Sequence, residues 1–344
     1  MTNHRSFWDH ILLQPSYGYL RDHKLYVPSL SELLREFSSH INIFRDRRNW
    51  LPFWSWFIFF CCMSYIFFYA FTSFRWIDVP LIILYPMFAL NIHSTIYLHR
   101  YSSHKAFQFS HPLFVMMFKL LVPKIVIEES FAISHYVHHQ FPDQPGDPYN
   151  PKAGWWYCFL ADANHQSIAR DLSREDYQKL VKLINHAQLY VNKYEQYQKW
   201  GSLSHPLIII LETIASWLLT YYFALHLLGP EITAALLAGI CTWAFTIRTF
   251  NYKSHGSGKD KRDFTKDTDK TSNSLNQKLP GMVAGEWHSN HHVYPRSARN
   301  GFKKGELDLS FKVIQFLHKI GIINSYNDSI DEYAKRFGGE SANI

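Results

Sequence analysis

Residues 51–73 read LPFWSWFIFFCCMSYIFFYAFTS and contain no charged side chain. Folded as a helix, an apolar run of about 20 residues is long enough to cross ~30 Å of hydrocarbon. A second apolar run of similar length follows at residues 79–98, and only Arg75 and Asp78 are charged between the two runs. The two runs therefore predict a transmembrane helical hairpin with a tight turn.

A second pair of apolar runs lies at residues 206–228 and 231–250, joined by Gly229-Pro230. A shorter run at residues 112–127 is interrupted by two lysines and a proline, which is typical of an interfacial or re-entrant segment. The sequence therefore predicts an all-α membrane protein with four transmembrane helices in two hairpins. The predicted domains are an N-terminal cytoplasmic segment, residues 1–50, and a membrane domain, residues 51–344, in which residues 99–205 and 251–344 form a helical cytoplasmic cap.

Lysine and arginine residues predict the orientation of these spans. They are concentrated before the first run, as at Arg45, Arg47 and Arg48, and again after the second, before the third and after the fourth. By the positive-inside rule, both termini and the cap then lie in the cytoplasm, at a bacterial inner membrane or the endoplasmic reticulum. A basic surface facing anionic lipid explains the formal net charge of +7. No nucleic-acid-binding signature accompanies this charge, so a nucleic-acid partner is not expected.

The composition excludes two other classes of protein. The chain is 17% aromatic, and its four cysteines, Cys61, Cys62, Cys158 and Cys241, form no CxxC pair. Neither a disulfide framework nor a zinc ribbon is therefore predicted. The opening residues MTNHRSFWDH contain no signal-peptide hydrophobic stretch, so the first apolar run is expected to remain as a span.

Four compact groups contain nine of the chain's 20 histidines. Each group follows a predicted span or lies in the predicted cap, so none is placed in the middle of the membrane. The groups are His99-Arg-Tyr-Ser-Ser-His104, His135-Tyr-Val-His138-His139, Asn251-Tyr-Lys-Ser-His255 and His288-Ser-Asn-His291-His292.

The spacing of these histidines points to metal binding. Residues i, i+3 and i+4 share one face of an α-helix, so the three histidines of each HxxHH group can converge, as can Asn251 and His255. His99 and His104 are five apart, ~140° around an ideal helix, and are predicted either to straddle a helix end or to serve two metals. Imidazole suits Fe, Cu, Zn and Ni. Nine imidazoles exceed what one ion can accept, so a pair of metals is predicted; isolated histidines such as His93 are left out.

The chain resembles the membrane fatty acyl desaturase family, specifically the delta-9 type that acts on acyl-CoA or acyl-lipid. The resemblance runs from about residue 50 to residue 323 through HRYSSHKAF, HYVHHQFPDQPGDPYNP, NYKSHG, GEWHSNHHVYPRSARNGF and ELDLSFKVIQFLHKIGI. It implies a cytoplasmic di-iron centre with nine histidine ligands and an asparagine-linked water. The family's ligands carry over onto His99, His104, His135, His138, His139, Asn251, His255, His288, His291 and His292.

The resemblance also implies a reaction. Two Fe²⁺ ions, O₂ and two electrons from a donor such as cytochrome b5 or ferredoxin, with its reductase, would desaturate a fatty acyl chain of an acyl-CoA or a membrane acyl-lipid. This chain departs from the family pattern at Tyr136, where arginine is common, at Gly285-Glu286-Trp287, which lacks a second glycine, and at Lys303-Lys304, where aromatic residues are common. These departures leave open the position of the double bond and the substrate head group.

Several other residues are weaker candidates for roles in the site. Glu286, Asp143 and Asp147 adjoin the histidine groups and are candidates to orient the imidazoles, ahead of Glu128 and Glu129. Solvated loop acids and helix caps are equally common roles for such residues. Two further pairs are candidate substrate-binding residues: Arg296 and Arg299 for a phosphate-bearing head group or an acidic electron donor, and Trp155 and Trp156 for an acyl tunnel, although basic surfaces and interfacial anchoring use the same residue types.

Two other functions fit parts of the sequence. A histidine-box lipid hydroxylase, acetylenase or conjugase would use the same iron chemistry, because the outcome depends on which carbons lie beside the oxidant. A non-catalytic metal carrier or lipid-binding membrane protein belongs to a different class. A metal-dependent hydrolase is disfavoured, since no HExxH or nucleophile motif is present.

Overall fold

The computed structural model describes residues 6–187, 190–255 and 287–337, and these are mostly helical. Short 3-10 turns cover Phe7–Asp9, Arg47–Asn49, Pro151–Ala153 and Ile247–Thr249. The helices are α1 Leu30–His40, α2 Trp50–Thr72, α3 Trp76–Ser103, α4 Pro112–Leu120, α5 Glu128–Gln140, α6 Trp155–Phe159, α7 Ala161–Asn164, α8 Arg174–Ile184, α9 Tyr194–Trp200, α10 Pro206–Thr246, α11 Phe250–Ser254, α12 His288–Val293, α13 Leu309–Lys319 and α14 Ile330–Phe337.

Three helical stretches of the described chain are long and apolar enough to cross a membrane: Arg47–Thr72, Trp76–Ser103 and Pro206–Thr249. The first two contain the predicted runs at 51–73 and 79–98. The third contains both remaining runs, because α10 continues for 41 residues. Gly229 interrupts it with non-helical torsions of φ 79° and ψ 171°. Helix α10 therefore consists of two helical halves that meet at the predicted turn.

Large apolar side chains cover the outside of these helices. Phe60, Phe67 and Phe71 on α2, and Leu211 and Leu218 on α10, are each more than half exposed. A continuous apolar surface of this kind on a soluble protein would drive association, whereas lipid covers it in a membrane protein. Together with the length of the helices, this surface indicates that the protein is associated with a membrane.

Helix α3 departs from regular α-helical geometry over much of its length. Its segments Pro86–Leu90 and Ser94–Ser103 are π-helical. In a π-helix the hydrogen bonds join residues five apart, so residues at that spacing lie one above the other. His99 lies inside the second π-helical segment, and His104 is the residue that caps it. The two histidines therefore straddle the helix end, which is one of the two arrangements that the sequence predicted. The π-helical winding brings both side chains to the same side.

Helix α4 has nine residues and is too short to cross a bilayer. A buried network of charged side chains joins α4 and the loop that follows it to α10. Lys119 Nζ lies 2.6 Å from Glu212 Oε1, and Lys124 Nζ lies 3.0 Å from Glu212 Oε2 and 2.8 Å from Glu128 Oε1. Since Glu128 begins α5, this network fixes the start of the helix that carries the second histidine group.

Two apolar clusters connect the membrane helices with the cap. One includes Trp56 of α2, Phe159 of α6 and Trp243 of α10. In the other, the strands β3 (Phe107–Phe109) and β4 (Ile323–Tyr326) pair antiparallel beside α13. A nearly fully buried ion pair of 2.8 Å between Arg100 and Asp308 reinforces the second cluster. A separate two-residue pair, β1 (Leu20–Arg21) and β2 (Lys24–Leu25), lies near the N-terminus.

Candidate metal centre

The nine histidines of the four sequence groups lie together in two adjacent sets. Within each set, one nitrogen of every imidazole lies within 4.8 Å of the corresponding nitrogen of every other member. All are buried or nearly so. The first set is His99, His104, His135, His139 and His291, and the second set is His138, His255, His288 and His292.

Two helices contribute to both sets. Helix α5 places His135 and His139, four residues apart, in the first set, and His138 in the second. Helix α12 places His291 in the first set and His288 and His292, again four apart, in the second. The sequence predicted that each HxxHH group would converge as one unit. In the structure the i, i+4 pair faces one set and the middle histidine faces the other, so the two sets are coupled through shared helices.

The separations in the first set are those of donors around a metal ion. The Nε2 atom of His291 lies 2.9 Å from His99 Nε2 and 3.0 Å from His139 Nε2, which is 3.1 Å from His135 Nε2. Nitrogens bonded at ~2.1 Å to one metal and at right angles to each other are separated by about 3.0 Å. His104 Nε2 is buried and has no hydrogen-bond partner within the described chain. Such a nitrogen is satisfied by a metal ion.

The Nε2 atoms of the second set are separated by similar distances, and carboxylates contact the Nδ1 atoms of two of its rings. His255 Nε2 lies 2.9 Å from His288 Nε2 and 3.2 Å from His138 Nε2. On the far side of these rings, His138 Nδ1 is 2.9 Å from Asp147 Oδ2, and His255 Nδ1 is 2.8 Å from Asp143 Oδ1.

The carboxylates decide which nitrogen of each ring carries the proton. The Nδ1 atom of His138 is hydrogen-bonded to Asp147, and that of His255 lies within ion-pair distance of Asp143. A proton on each Nδ1 leaves both Nε2 atoms as lone pairs. Two lone pairs held 3.2 Å apart repel each other unless a cation lies between them. The residues present therefore fit a bound metal ion in this set, and imidazole donors suit iron, zinc, copper or nickel.

Burial favours the neutral form of six imidazoles outside the membrane helices. It lowers the pKa of these six rings because a charged imidazole is poorly stabilised away from water, and the neighbouring histidines lower the pKa further. Metal binding requires the neutral form, so this environment favours ligation. The pKa is held well below its usual range at His104, His135, His139, His288, His291 and His292.

Tyr149 is a contact that sequence reasoning missed. Its hydroxyl lies 2.9 Å from His135 Nδ1, and the ring is buried. Tyr149 lies two residues after Asp147, and Asp147 accepts a hydrogen bond from the Tyr149 backbone N–H at 3.1 Å. The segment after the second histidine group thus orients imidazoles of both sets. Its signal in the sequence is the Asp-Pro-Tyr tripeptide, residues 147–149.

The glutamates that were weaker candidates for orienting the imidazoles do not contact the histidine sets in the structure. Glu128 pairs with Lys124, and Glu129 accepts hydrogen bonds from the backbone N–H groups of Leu203 and Ser204, so both carboxylates are engaged away from the histidine sets. Glu286 and the side chain of Asn251 lie outside the described residues, although the Asn251 backbone lies in α11.

The four candidate substrate-binding residues differ in their contacts and in their exposure. Arg299 makes a bidentate ion pair with Asp328, its Nε at 2.9 Å and its second terminal nitrogen at 2.8 Å, whereas Arg296 is exposed. Trp155 stacks on Phe159 with ring centroids 4.5 Å apart. Trp156 is 45% exposed.

A cavity of about 70 Å³ is lined by residues that include two neighbours of the histidine sets, Phe131 and Phe250. Phe131 lines the cavity, and its ring stacks on His135 at 5.6 Å between centroids. Phe250 also lines the cavity and lies edge-on to His288 at 5.4 Å. One residue of the cavity lining therefore contacts an imidazole of each set.

Comparison with known proteins identifies the class to which this site belongs. Residues 74–304, more than half of the chain, match the fatty acid desaturase family. The chain belongs to this family.

Among curated relatives, the chain is similar to delta-9 acyl-lipid desaturase 1 of Arabidopsis thaliana, with 23% identity over 70% of this chain and 72% of the relative. It is also 23% identical to the sn-1 stearoyl-lipid 9-desaturase of Anabaena variabilis, over 73% of this chain and 84% of the relative. A third relative, hex-5-enoyl-[acyl-carrier protein] acetylenase of Moorena producens, is 26% identical over 72% of this chain and 76% of the relative.

Proposed function

We propose that this protein is an integral-membrane desaturase that introduces a double bond, of the delta-9 type, into a fatty acyl chain with O₂ and externally supplied electrons. The observation that carries the proposal is the pair of adjacent, all-histidine sets in a member of the fatty acid desaturase family. The proposed metal ligands are the nine histidines and, through a water molecule, Asn251. Iron is the proposed metal, with two Fe²⁺ ions in the reduced protein.

Removal of hydrogen from an unactivated methylene needs an oxidant that side chains cannot supply, and a reduced iron pair with O₂ supplies it. Overall, two hydrogens from adjacent carbons, two electrons from the donor and two protons reduce O₂ to two water molecules. The protein's part is to hold nine neutral imidazoles in place. Asp143, Asp147 and Tyr149 orient three of these rings through Nδ1. Phe131 and Phe250 supply apolar contacts to His135 and His288 and line the neighbouring cavity.

The proposed topology is four crossings, with both termini and the histidine sets on the cytoplasmic side. A 41-residue helix is about 60 Å long, twice the hydrocarbon thickness, so its two halves are proposed to cross separately and turn at Gly229. His226→Cys and Lys304→Cys, made one at a time in a variant whose four natural cysteines are replaced, test this in sealed vesicles. Under the proposal, a membrane-impermeant thiol reagent labels the two positions from opposite sides. Labelling of both from the same side would contradict it.

The proposed substrates are a fatty acyl-CoA or a membrane acyl-lipid, and the proposed electron donor is a cytochrome b5 or ferredoxin with its reductase. The names of two relatives specify acyl-lipid desaturation, which favours an acyl-lipid for this chain. Lipid analysis tests the reaction most directly. Expression in a host that lacks its own desaturase, followed by gas chromatography of the fatty acids, is expected to show a new monoene.

The control for this experiment is the His291→Ala variant at the same expression level, which is expected to give no monoene. The purified protein is expected to hold about two irons per chain. A hydroxy acid in place of a monoene would overturn the proposed reaction. Zinc alone, with no turnover after reconstitution with iron, would indicate a non-catalytic metal-binding protein.

A second candidate function is acetylenase activity, which the similarity to a hex-5-enoyl-[acyl-carrier protein] acetylenase favours. That reaction removes two further hydrogens from an existing double bond. The same chromatography distinguishes the two functions when cells are supplied with a monoenoic acid. A triple-bond product formed from the monoene, with none formed from the saturated acid, would favour the acetylenase.

A further inference from the structure

Tyr17 and His165 form a hydrogen-bonded pair that the proposed reaction does not use. The Tyr17 hydroxyl is bonded to His165 Nε2, and His165 is fully buried. Burial holds the pKa of His165 well below its usual range, so its ring is neutral. Burial also raises the pKa of the Tyr17 phenol, which keeps its proton. Tyr17 is therefore the donor in this pair, and His165 Nε2 is the acceptor.

Packing alone does not account for the histidine of this pair. The Nδ1 atom of His165 is buried and has no hydrogen-bond partner in the described part of the chain. With Nε2 as the acceptor, the ring proton lies on Nδ1, and a buried N–H group without a partner costs free energy. An apolar ring would fill the same space without this cost. The residue that is kept here is one that can take up a proton, which indicates a chemical role.

A series of contacts joins this pair to the second histidine set. The rings of Tyr17 and His165 have centroids 6.0 Å apart, and Tyr157 stacks on His165 with centroids 4.0 Å apart. The Tyr157 hydroxyl donates to the Asp147 carbonyl oxygen at 3.1 Å, and the Asp147 carboxylate lies 2.9 Å from His138 Nδ1. The rate of electron transfer falls steeply with the gap between groups, so contacting rings form a favourable route.

Tyr17 differs from the tyrosines closer to the metal position because its partner is a free base. A phenol that loses an electron becomes a strong acid, and the radical persists once a base has taken the proton. The hydroxyl of Tyr157 donates to a backbone carbonyl, which is not a base. Tyr149 contacts Nδ1 of His135, a ring that is itself a proposed metal ligand. His165 belongs to neither histidine set and is available for the proton.

We propose that Tyr17 and His165 are a redox-active pair that gives an electron to the metal centre when O₂ reacts there with no acyl chain in place. The inference rests on the proposed function, which supplies the iron and the O₂. One electron moves from Tyr17 through His165 and Tyr157 to the iron pair, while the O–H bond of Tyr17 breaks and an N–H bond forms at His165 Nε2. The external donor then reduces the tyrosyl radical, and the proton returns. This transfer keeps the oxidation away from the ligand imidazoles.

The first test looks for the radical and does not depend on product formation. Reduced, iron-loaded, full-length protein is mixed with O₂ in the absence of substrate, frozen, and studied by electron paramagnetic resonance. A tyrosyl signal is expected, and it should narrow when the protein contains ring-deuterated tyrosine. Tyr17→Phe is expected to lose the signal. His165→Phe, which keeps an aromatic ring and removes the base, is expected to lose it as well. Iron content equal to that of the wild type shows that the histidine sets are intact in both variants.

Two control variants remove other phenols. Tyr177 donates to the Asn192 carbonyl and stacks on Tyr197, away from the route, so Tyr177→Phe is expected to keep the signal. Tyr136 lies edge-on to His104 with centroids 6.2 Å apart, and Tyr136→Phe is also expected to keep it. A signal that survives Tyr17→Phe, or that appears in the metal-free protein, would overturn the inference.

The second test measures protection of the ligands. The protein is supplied with reductant and O₂ but no substrate, and oxidised histidine in the two sets is followed by mass spectrometry. Tyr17→Phe is expected to accumulate it several-fold faster than the wild type or Tyr177→Phe, and equal rates would overturn the protective role. Monoene formation by a wild type that shows no radical would overturn this inference and leave the proposed function intact. A Tyr17 radical with hydroxylated lipid products would do the reverse, and protein that binds no iron would overturn both.

Discussion

Asp147 shows how one residue prepares a metal ligand. It is fully buried, accepts from His138 Nδ1 at 2.9 Å, and receives backbone N–H groups from Asp143 and Tyr149 at 2.9 and 3.1 Å. The backbone donors hold the carboxylate still, and the carboxylate holds the imidazole with Nε2 free. The proton on His138 is thereby fixed by residues that do not themselves touch the metal position.

Replacement of Asp147 with asparagine is expected to weaken metal binding by about 10- to 100-fold. The amide presents an N–H group where His138 needs an acceptor, so the ring turns or takes the other tautomer. Iron retained after dialysis against a graded chelator series measures the effect. Asp171→Asn, a change at an exposed carboxylate, is the control and should bind iron as the wild type does. Equal retention by both variants would show that Asp147 does not support the ligand.

His186 gives the protein a pH dependence that is independent of the metal sets. Burial lowers its pKa from 6.5 to about 4, and its Nε2 lies 2.8 Å from the Tyr101 carbonyl oxygen. The unfolded chain takes up a proton near pH 6.5 while the folded protein does not, so stability is lost as the pH falls from 6.5 towards 4. Between pH 7 and 5 this loss amounts to about 1–2 kcal/mol, allowing for partial exposure of the ring.

The His186→Gln variant keeps a donor for the Tyr101 carbonyl but cannot titrate. Its free energy of unfolding in detergent is expected to fall less than that of the wild type between pH 7 and pH 5. Measurements use metal-free protein, so that ligand protonation affects both proteins equally. His23→Gln, at an exposed turn, should behave like the wild type. Parallel pH curves for His186→Gln and wild type would refute the assignment.

Spacing alone singled out the nine histidines as candidate ligands, because i, i+3 and i+4 positions share a helix face whatever the surrounding fold. It did not predict their division into two sets, which depends on how α5 and α12 are rotated against each other. Tyr149 was also missed. Its contact with His135, 14 residues earlier, depends on the turn between them, and a single tyrosine forms no periodic pattern.

Helices α10 and α3 show which features of an element a sequence pattern predicts and which it does not. Its two apolar runs and the Gly-Pro between them were visible in the sequence, and the structure interrupts the helix at Gly229. The π-helical winding of α3 was not predictable, because an apolar run has the same composition with α- or π-turns. That winding brings His99 and His104, five residues apart, into one set.

Gly229 is the residue on which the break in α10 depends. Its φ of 79° and ψ of 171° belong to a region that is essentially restricted to glycine. A Cβ added there meets no atom within 4 Å, so Gly229→Ala acts through backbone strain and not through a clash. The variant is expected to lose about 1–3 kcal/mol of stability, seen as a lower midpoint of thermal unfolding in detergent. Leu228→Ala is the neighbouring control, and a larger loss there would argue against strain at Gly229.

At the scale of the whole molecule, the two sets bring together four separate parts of the chain: the end of α3, α5, the end of α11 and α12. Helix α12 has six residues, fewer than an isolated helix needs to be stable. It supplies three of the nine imidazoles. Its position therefore depends on its contacts, and metal ions bound to its imidazoles would join it to the other three parts.

Removal of the metal is expected to loosen these parts together. Without cations, His138 Nε2 and His255 Nε2 face each other as lone pairs 3.2 Å apart, and His291 Nε2 lies 2.9 Å from His99 Nε2, so the imidazoles must separate or take up protons. Hydrogen–deuterium exchange on the full-length protein, before and after chelation, measures this. Amides of α12 and of the C-terminal turn of α5 are expected to exchange faster in the stripped protein and to recover when Fe²⁺ is restored.

Helix α8, at Arg174–Ile184, carries none of the nine histidines and is the internal control. Its exchange should be the same with and without metal, because its packing through Tyr177, Leu180 and Ile184 is apolar. Faster exchange everywhere would mean that the metals stabilise the whole fold and not four particular segments. No change anywhere would mean that the imidazoles are held in place by the protein alone, and the argument from facing lone pairs would fail.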